Sequence, residues 1–191
     1  MCLSILGLPS KFLAGPVNRV FYKEATERYN NGENIGELSY NILNANIKIA
    51  IIPITILIIF GEHLFTAILG SKWSEAGTFA SYLGIYQLMS FFNSCLAGKF
   101  IIIQKNRTIL WLNAFSVFLY SGIFLICHEF RLKAVNTIAI FALFGALFEM
   151  VDTLIFMAQT KASLKKYLRF VLVYLLVPIV LATSIRMVLF S

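Results

Sequence analysis

The chain carries apolar runs too long and too continuous for a water-soluble domain. The first complete run starts near residue 45 and continues through IKIAIIPITILIIF to residue 64; others cover 78–103, 109–127, 134–157 and 167–190. About 20 apolar residues wound as a helix match the hydrocarbon thickness of a bilayer. A barrel strand would alternate inward and outward residues, and these runs do not. The expected fold is all-α and integral to the membrane, a single domain over 1–191 with about five transmembrane helices.

Composition agrees. Apolar residues make up 59% of the chain and charged ones 13%, against roughly 45–50% and about 25% in soluble domains. There are too few polar side chains to cover a soluble fold of this length. The net charge of +7, from 16 basic and 9 acidic residues, fits topology-setting residues and anionic lipid headgroups. No basic run is interleaved with exposed aromatics on a polar scaffold, so a nucleic-acid partner is not expected.

The first 44 residues differ from the rest. Residues 1–17 are apolar but short, and are interrupted by Gly7, Pro9, Lys11, Gly15 and Pro16. A signal peptide would have a basic leader and an uninterrupted apolar core. The segment is expected to be the end of a hydrophobic helix whose beginning is missing. VNRVFYKEATERY follows as a polar, helix-like stretch, then the turn signal NNGEN and a polar lead into the first full run.

Lys and Arg sort unevenly between the two sides, twelve with the N-terminal segment and the QKNR and KASLKK loops, four with the others. The positive-inside rule places the twelve in the cytoplasm. Trp73, Trp111 and Tyr167 stand near run ends, where amphipathic rings favour the headgroup level. Pro53 and Pro178 lie inside runs and are expected to kink them.

Catalytic chemistry is poorly represented. Cys2, Cys95 and Cys127 have no metal-ligand spacing, and His63 and His128 stand in short connections without a second ligand nearby. No clustered His/Asp pair, metal site or activated nucleophile is offered by any loop, HEFRLK being the nearest approach. No catalytic residue, metal or cofactor is expected.

The fourth run supplies the candidate site. Glu149 and Asp152 in LFEMVDTLIF are three apart, on one helix face. A charge near the bilayer centre costs on the order of 2.5–3.5 kcal/mol, so such groups usually face a bundle interior or aqueous cavity. Helical rise places both about 8–12 Å from the cytoplasmic end. Lys48, just inside the first run, and Lys99, near the end of the second, lie shallower in the same leaflet. Either the four groups line a cytoplasm-facing cavity, or the lysines snorkel to the headgroups and the acids pair for packing. Snorkelling is the favoured reading for the lysines. The cavity is favoured for the acids, whose short chains reach water less easily.

The stretches LPSKFLAGPVNRVFYKEATERYNNGENIGEL and IIFGEHLFTAILGSKWSEAGTFASYLGIYQLMSFFNSCLAGKFIIIQKNR carry a resemblance. The first is similar to the end of one helix and the start of a cytoplasmic loop in bacterial polysaccharide flippases. The second resembles that family's next hairpin, with an outer loop of the pattern F-G-x-x-W-x-x-A-G read here in ILGSKWSEAG through Gly70, Trp73, Ala76 and Gly77. The family is the Wzx-like oligosaccharide flippases of the multidrug/oligosaccharidyl-lipid/polysaccharide exporter superfamily, and the likeness covers about residues 8–110. It implies the C-terminal lobe of a two-lobe transporter in the bacterial inner membrane, the other lobe belonging to a longer product or a partner. The implied substrate is an undecaprenyl-diphosphate-linked oligosaccharide destined for O-antigen or capsule. Lys48 and Lys99 would then attract the diphosphate, and Glu149 and Asp152 would couple movement to protons or sodium. The family's cavity residues form no fixed motif, so no substrate contact carries over. A cation-coupled small-molecule exporter, a membrane enzyme acting on lipid-linked sugars and a non-transporting remnant stay open as alternatives.

Overall fold

A computed structural model describes residues 2–160 and 162–173. Among them every regular element is helical: α1 (Cys2–Asn30), α2 (Gly36–Leu69), a 3-10 turn (Ser71–Trp73), α3 (Ser74–Cys95), α4 (Lys99–Ile102), α5 (Asn106–Glu129), α6 (Ala134–Gln159) and α7 (Leu164–Val171). Of these, α2, α5 and α6 are long and apolar enough to cross a membrane. The run at 109–127 is realised as α5 and that at 134–157 as α6, each within a few residues of its expected ends.

Several expectations change. The interruptions at Pro9 and Pro16 do not break α1, which continues through both. The polar lead before the first run is already helix, because Leu38, Leu43, Asn46 and Ile47 are buried at helical spacing and tie the opening of α2 into the bundle. Pro53 lies inside α2, and His63 lies within α2 and His128 within α5 rather than in connections. The run at 78–103 is not one helix. It stops at Cys95, turns through Gly98 in the left-handed region (φ 79°), and resumes as the single turn of α4. Of the expected fifth helix, 167–190, only 167–173 falls among the described residues; Pro178 lies outside them.

α3 is the centre of the bundle, packed against α1, α2 and α6. Its face toward α2 is built for close approach. A Cβ on Gly77 would stand 2.5 Å from the Gly61 carbonyl oxygen, and one on Gly61 would meet Ser81 Oγ at 2.4 Å. Lipid tails are as apolar as leucine, so membrane helices associate through such backbone approach and interhelical polar contacts. Ser81 Oγ adds one, 3.2 Å from the Leu57 carbonyl. Glu62 on α2 accepts from Ser74 Oγ (2.9 Å) and Thr78 Oγ1 (3.2 Å), fastening the start of α3. Gly70, with φ 95°, turns the chain between the two helices, which accounts for the glycines of ILGSKWSEAG.

The apolar core runs from Phe21 on α1 through Leu43, Ile47, Leu88, Leu96 and Phe100 to Phe156 and Met157 on α6. Tyr167 is buried in it, with its ring 6.3 Å from that of Phe170. Trp111, by contrast, is 72% exposed near the start of α5. The turn after α1, Lys105 and the end of α6 line one hollow, so these three polar stretches share one end of the bundle.

Candidate functional site

The break between α3 and α4 places the buried cation. Asn18 on α1 donates its amide to the Ala97 carbonyl (2.8 Å), occupying an acceptor freed where α3 ends. Tyr22, one helical turn on, lies against Gly98, where a Cβ would come 2.8 Å from the ring. Glycine is thus required twice at 98, for its φ and for the ring. With the chain turned there, Lys99 enters the bundle instead of rising toward an interface. It is 4% exposed, which overturns the snorkelling reading for this residue.

Lys99 Nζ donates to Asp152 Oδ2 at 2.6 Å and also to Asn93 Oδ1. It rests over the rings of Phe100 and Phe156, with centroids at 5.5 and 5.9 Å. The Asn93 amide nitrogen donates in turn to Glu149 Oε2. Thr153 Oγ1 lies 3.4 Å from Asn93 Oδ1 and 3.2 Å from the Glu149 carbonyl. Asn93 is therefore the bridge between a closed ion pair and a second carboxylate. A buried charge is tolerated when paired and hydrogen-bonded, and this network does both for Lys99.

Of the four residues singled out from the sequence, three meet here: Lys99, Glu149 and Asp152. Lys48 does not; it lies exposed on α2, outside the cluster. Asn93 was missed, although an amide inside an apolar run is itself a signal. Asn18 and Gly98 were missed as well, since their roles exist only through contacts between α1 and the α3–α4 break.

A cavity of 340 Å³ opens beside the cluster, between α3, α5 and α6. Its walls are Tyr86 and Asn93 from α3, Lys99 and Phe100 from α4, Asn113, Ser116 and Tyr120 from α5, and Phe148, Glu149 and Asp152 from α6, with Leu96–Gly98, Ile109 and Leu112 closing one end. α3 and α6 meet at Gly145, where a Cβ would come 2.8 Å from the Tyr86 ring. α5 joins through stacked and tilted rings: Tyr120 on Phe141 at 5.1 Å and Phe115 on Phe148 at 6.1 Å. The opposite face of α5 is bare, with Phe118 78% and Leu125 69% exposed. α5 is thus two-faced, polar toward the cavity and apolar outward.

Among the described residues, no group of three His, Cys, Asp or Glu side chains is placed to hold a metal ion. Cys95 and Cys127 are buried free thiols. Comparison with protein-family models, curated proteins and solved structures gave no match.

Proposed function

We propose that the chain is one helical lobe of a membrane transporter, a flippase that carries lipid-linked oligosaccharide repeat units across the bacterial inner membrane. The observation that carries this reading is the Lys99–Asp152 pair with Glu149, set beside a polar cavity among helices whose outer faces are apolar. Ionisable residues within apolar helices are costly, and they typically mark a pathway for a polar substrate. The helix broken at Gly98 beside the cavity supports the same reading, since irregular backbone at membrane depth is tolerated where it lines a cavity or is buried in protein. The family likeness of 8–110 supplies the substrate class, an undecaprenyl-diphosphate-linked sugar repeat.

In this mechanism the cavity forms one wall of the path, and a second lobe closes it from the other side. Rocking of the two lobes exposes the cavity to each leaflet in turn. Asp152 and Lys99 neutralise each other within the wall, and Glu149 is the group available to a substrate or a proton. The polar end holding the turn after α1, Lys105 and the end of α6 faces the cytoplasm, consistent with the distribution of Lys and Arg.

The test is complementation. The protein is expressed in its full gene context in a bacterium lacking its own repeat-unit flippase, and surface polysaccharide is measured. Restoration by the wild type, and its loss in Asn93→Leu at equal membrane abundance, are expected. Restored resistance to toxic small molecules without any surface polysaccharide would assign the chain to the exporter branch of the superfamily instead.

A further inference from the structure

We propose that the cavity between α3, α5 and α6 selects by charge, accepting a protonated amine on a hydroxylated ligand such as an amino sugar and rejecting phosphate and carboxylate. The inference rests on the reading of this cavity as the substrate wall, and it moves the diphosphate elsewhere. Lys99 is the one cation on the wall among the described residues, and it is already engaged: Asp152 and Asn93 accept from its ammonium while two phenyl rings lie against it. An anion entering the cavity meets a cation already paired with Asp152.

It also meets a surplus of acidic groups. One ammonium faces two carboxyl groups, Asp152 and Glu149, so acidic groups outnumber the cation on this wall. Glu149 Oε2 accepts from Asn93, and its carboxyl group lines the cavity. A carboxylate there is an acceptor for an incoming ligand, and in a low-dielectric site a charged donor is favoured strongly over a neutral one. The remaining wall agrees, because the rings of Tyr86, Tyr120 and Phe148 line the same cavity, and aromatic faces attract ammonium groups. Asn113 and Ser116 add amide and hydroxyl partners for ligand hydroxyls. The volume of 340 Å³ falls within the range of small-molecule sites, about 300–1,000 Å³.

A bare metal cation fits less well. A hard ion needs several converging oxygens, whereas here one carboxylate is bound to Lys99 and much of the wall is aromatic. The donor set suits an organic ammonium.

The experiment is ligand titration of the full protein in lipid nanodiscs, read by saturation-transfer NMR. The probes are glucosamine, N-acetylglucosamine and glucuronate, which share a ring and differ in charge. Glucosamine is expected to bind about tenfold more tightly than N-acetylglucosamine, with glucuronate weakest. Glu149→Gln should bring the first two within about twofold of each other. Tyr120→Leu, outside the ion network, should lower the glucosamine preference about threefold and serves if Glu149→Gln does not fold. Glucuronate binding as tightly as glucosamine, or an amine preference untouched by the variant that folds, overturns the inference. The flippase reading fails separately: an intact amine preference with no complementation removes the flippase alone, and complementation without the preference removes the charge selection alone.

Discussion

Of the three helices packed on the 22 residues of α3, α2 and α6 are met by opposite means. Toward α2, α3 offers Gly77, Ser81 and Gly84; at Gly77 the backbones close until no side chain fits between them, and at Gly84 the Ile58 side chain fills the space. Toward α6 it offers Tyr86 and Asn93, and the contact is a ring on Gly145 and an amide bridging Lys99 to Glu149. Both crossings bury polar atoms. At the first, short hydroxyls do the bonding, Ser81 to a carbonyl and Ser74 and Thr78 to the single carboxylate of Glu62. At the second, an ion pair and a further carboxyl group are present, and 340 Å³ of space remains beside them. In a medium that gives helices no hydrophobic reason to associate, close backbone approach and polar bonding are the two available fasteners. The first makes a rigid joint. The second is costlier and leaves room for a ligand.

The largest effect should come from unbalancing the second crossing. Lys99→Met strands Asp152 without its counter-charge and is expected to destabilise the bundle by about 3–5 kcal/mol. The double variant Lys99→Met/Asp152→Leu should recover most of that, because removing both charges removes the desolvation cost as well. Unfolding in bilayer discs measures both. A double variant as unstable as the single one would mean that the pair itself holds the fold.

The first crossing should break through size alone. Gly77→Leu drives a side chain into the Gly61 carbonyl and is expected to cost about 3 kcal/mol, the upper end for overpacking. Ligand affinity per folded molecule should stay unchanged, since the cavity lies on the opposite face of α3. A changed affinity with the fold intact would show that the two crossings are coupled. Gly98→Ala should have the smallest effect, about 1–2 kcal/mol for the left-handed backbone. It also presses on Tyr22, and the readout is the accessibility of Lys99 to amine-reactive reagent, which should rise as the break shifts.

Both ends of α5 and α6 were readable because each is a continuous apolar run closed by a short charged connection. Their physics is local. The break after Cys95 was not readable, because SCLAGKF is as apolar as what precedes it and the turn depends on Asn18 and Tyr22 from 75 or more positions away. Glu149 and Asp152 stood out as carboxylates inside an apolar run, and their shared face followed from their spacing. The burial of Lys99 did not follow. A lysine near a run end reads as a snorkelling side chain until the chain is known to turn beneath it. Lys48, with the same sequence signature, is the control: its helix continues without interruption and it stays exposed. The opening of α2 shows the reverse error, in which a polar composition hid the helical spacing of Leu38, Leu43 and Ile47.

The central claim is that α5 presents one face to an aqueous cavity and the other to lipid. Replacing the three native cysteines and introducing Ser116→Cys or Phe118→Cys one at a time tests it directly with a membrane-impermeant thiol reagent applied to right-side-out and inverted vesicles. The account predicts labelling at 116 from one side only, reduced by glucosamine, and none at 118 from either side. Equal labelling at both positions, or labelling at 118 alone, would contradict it.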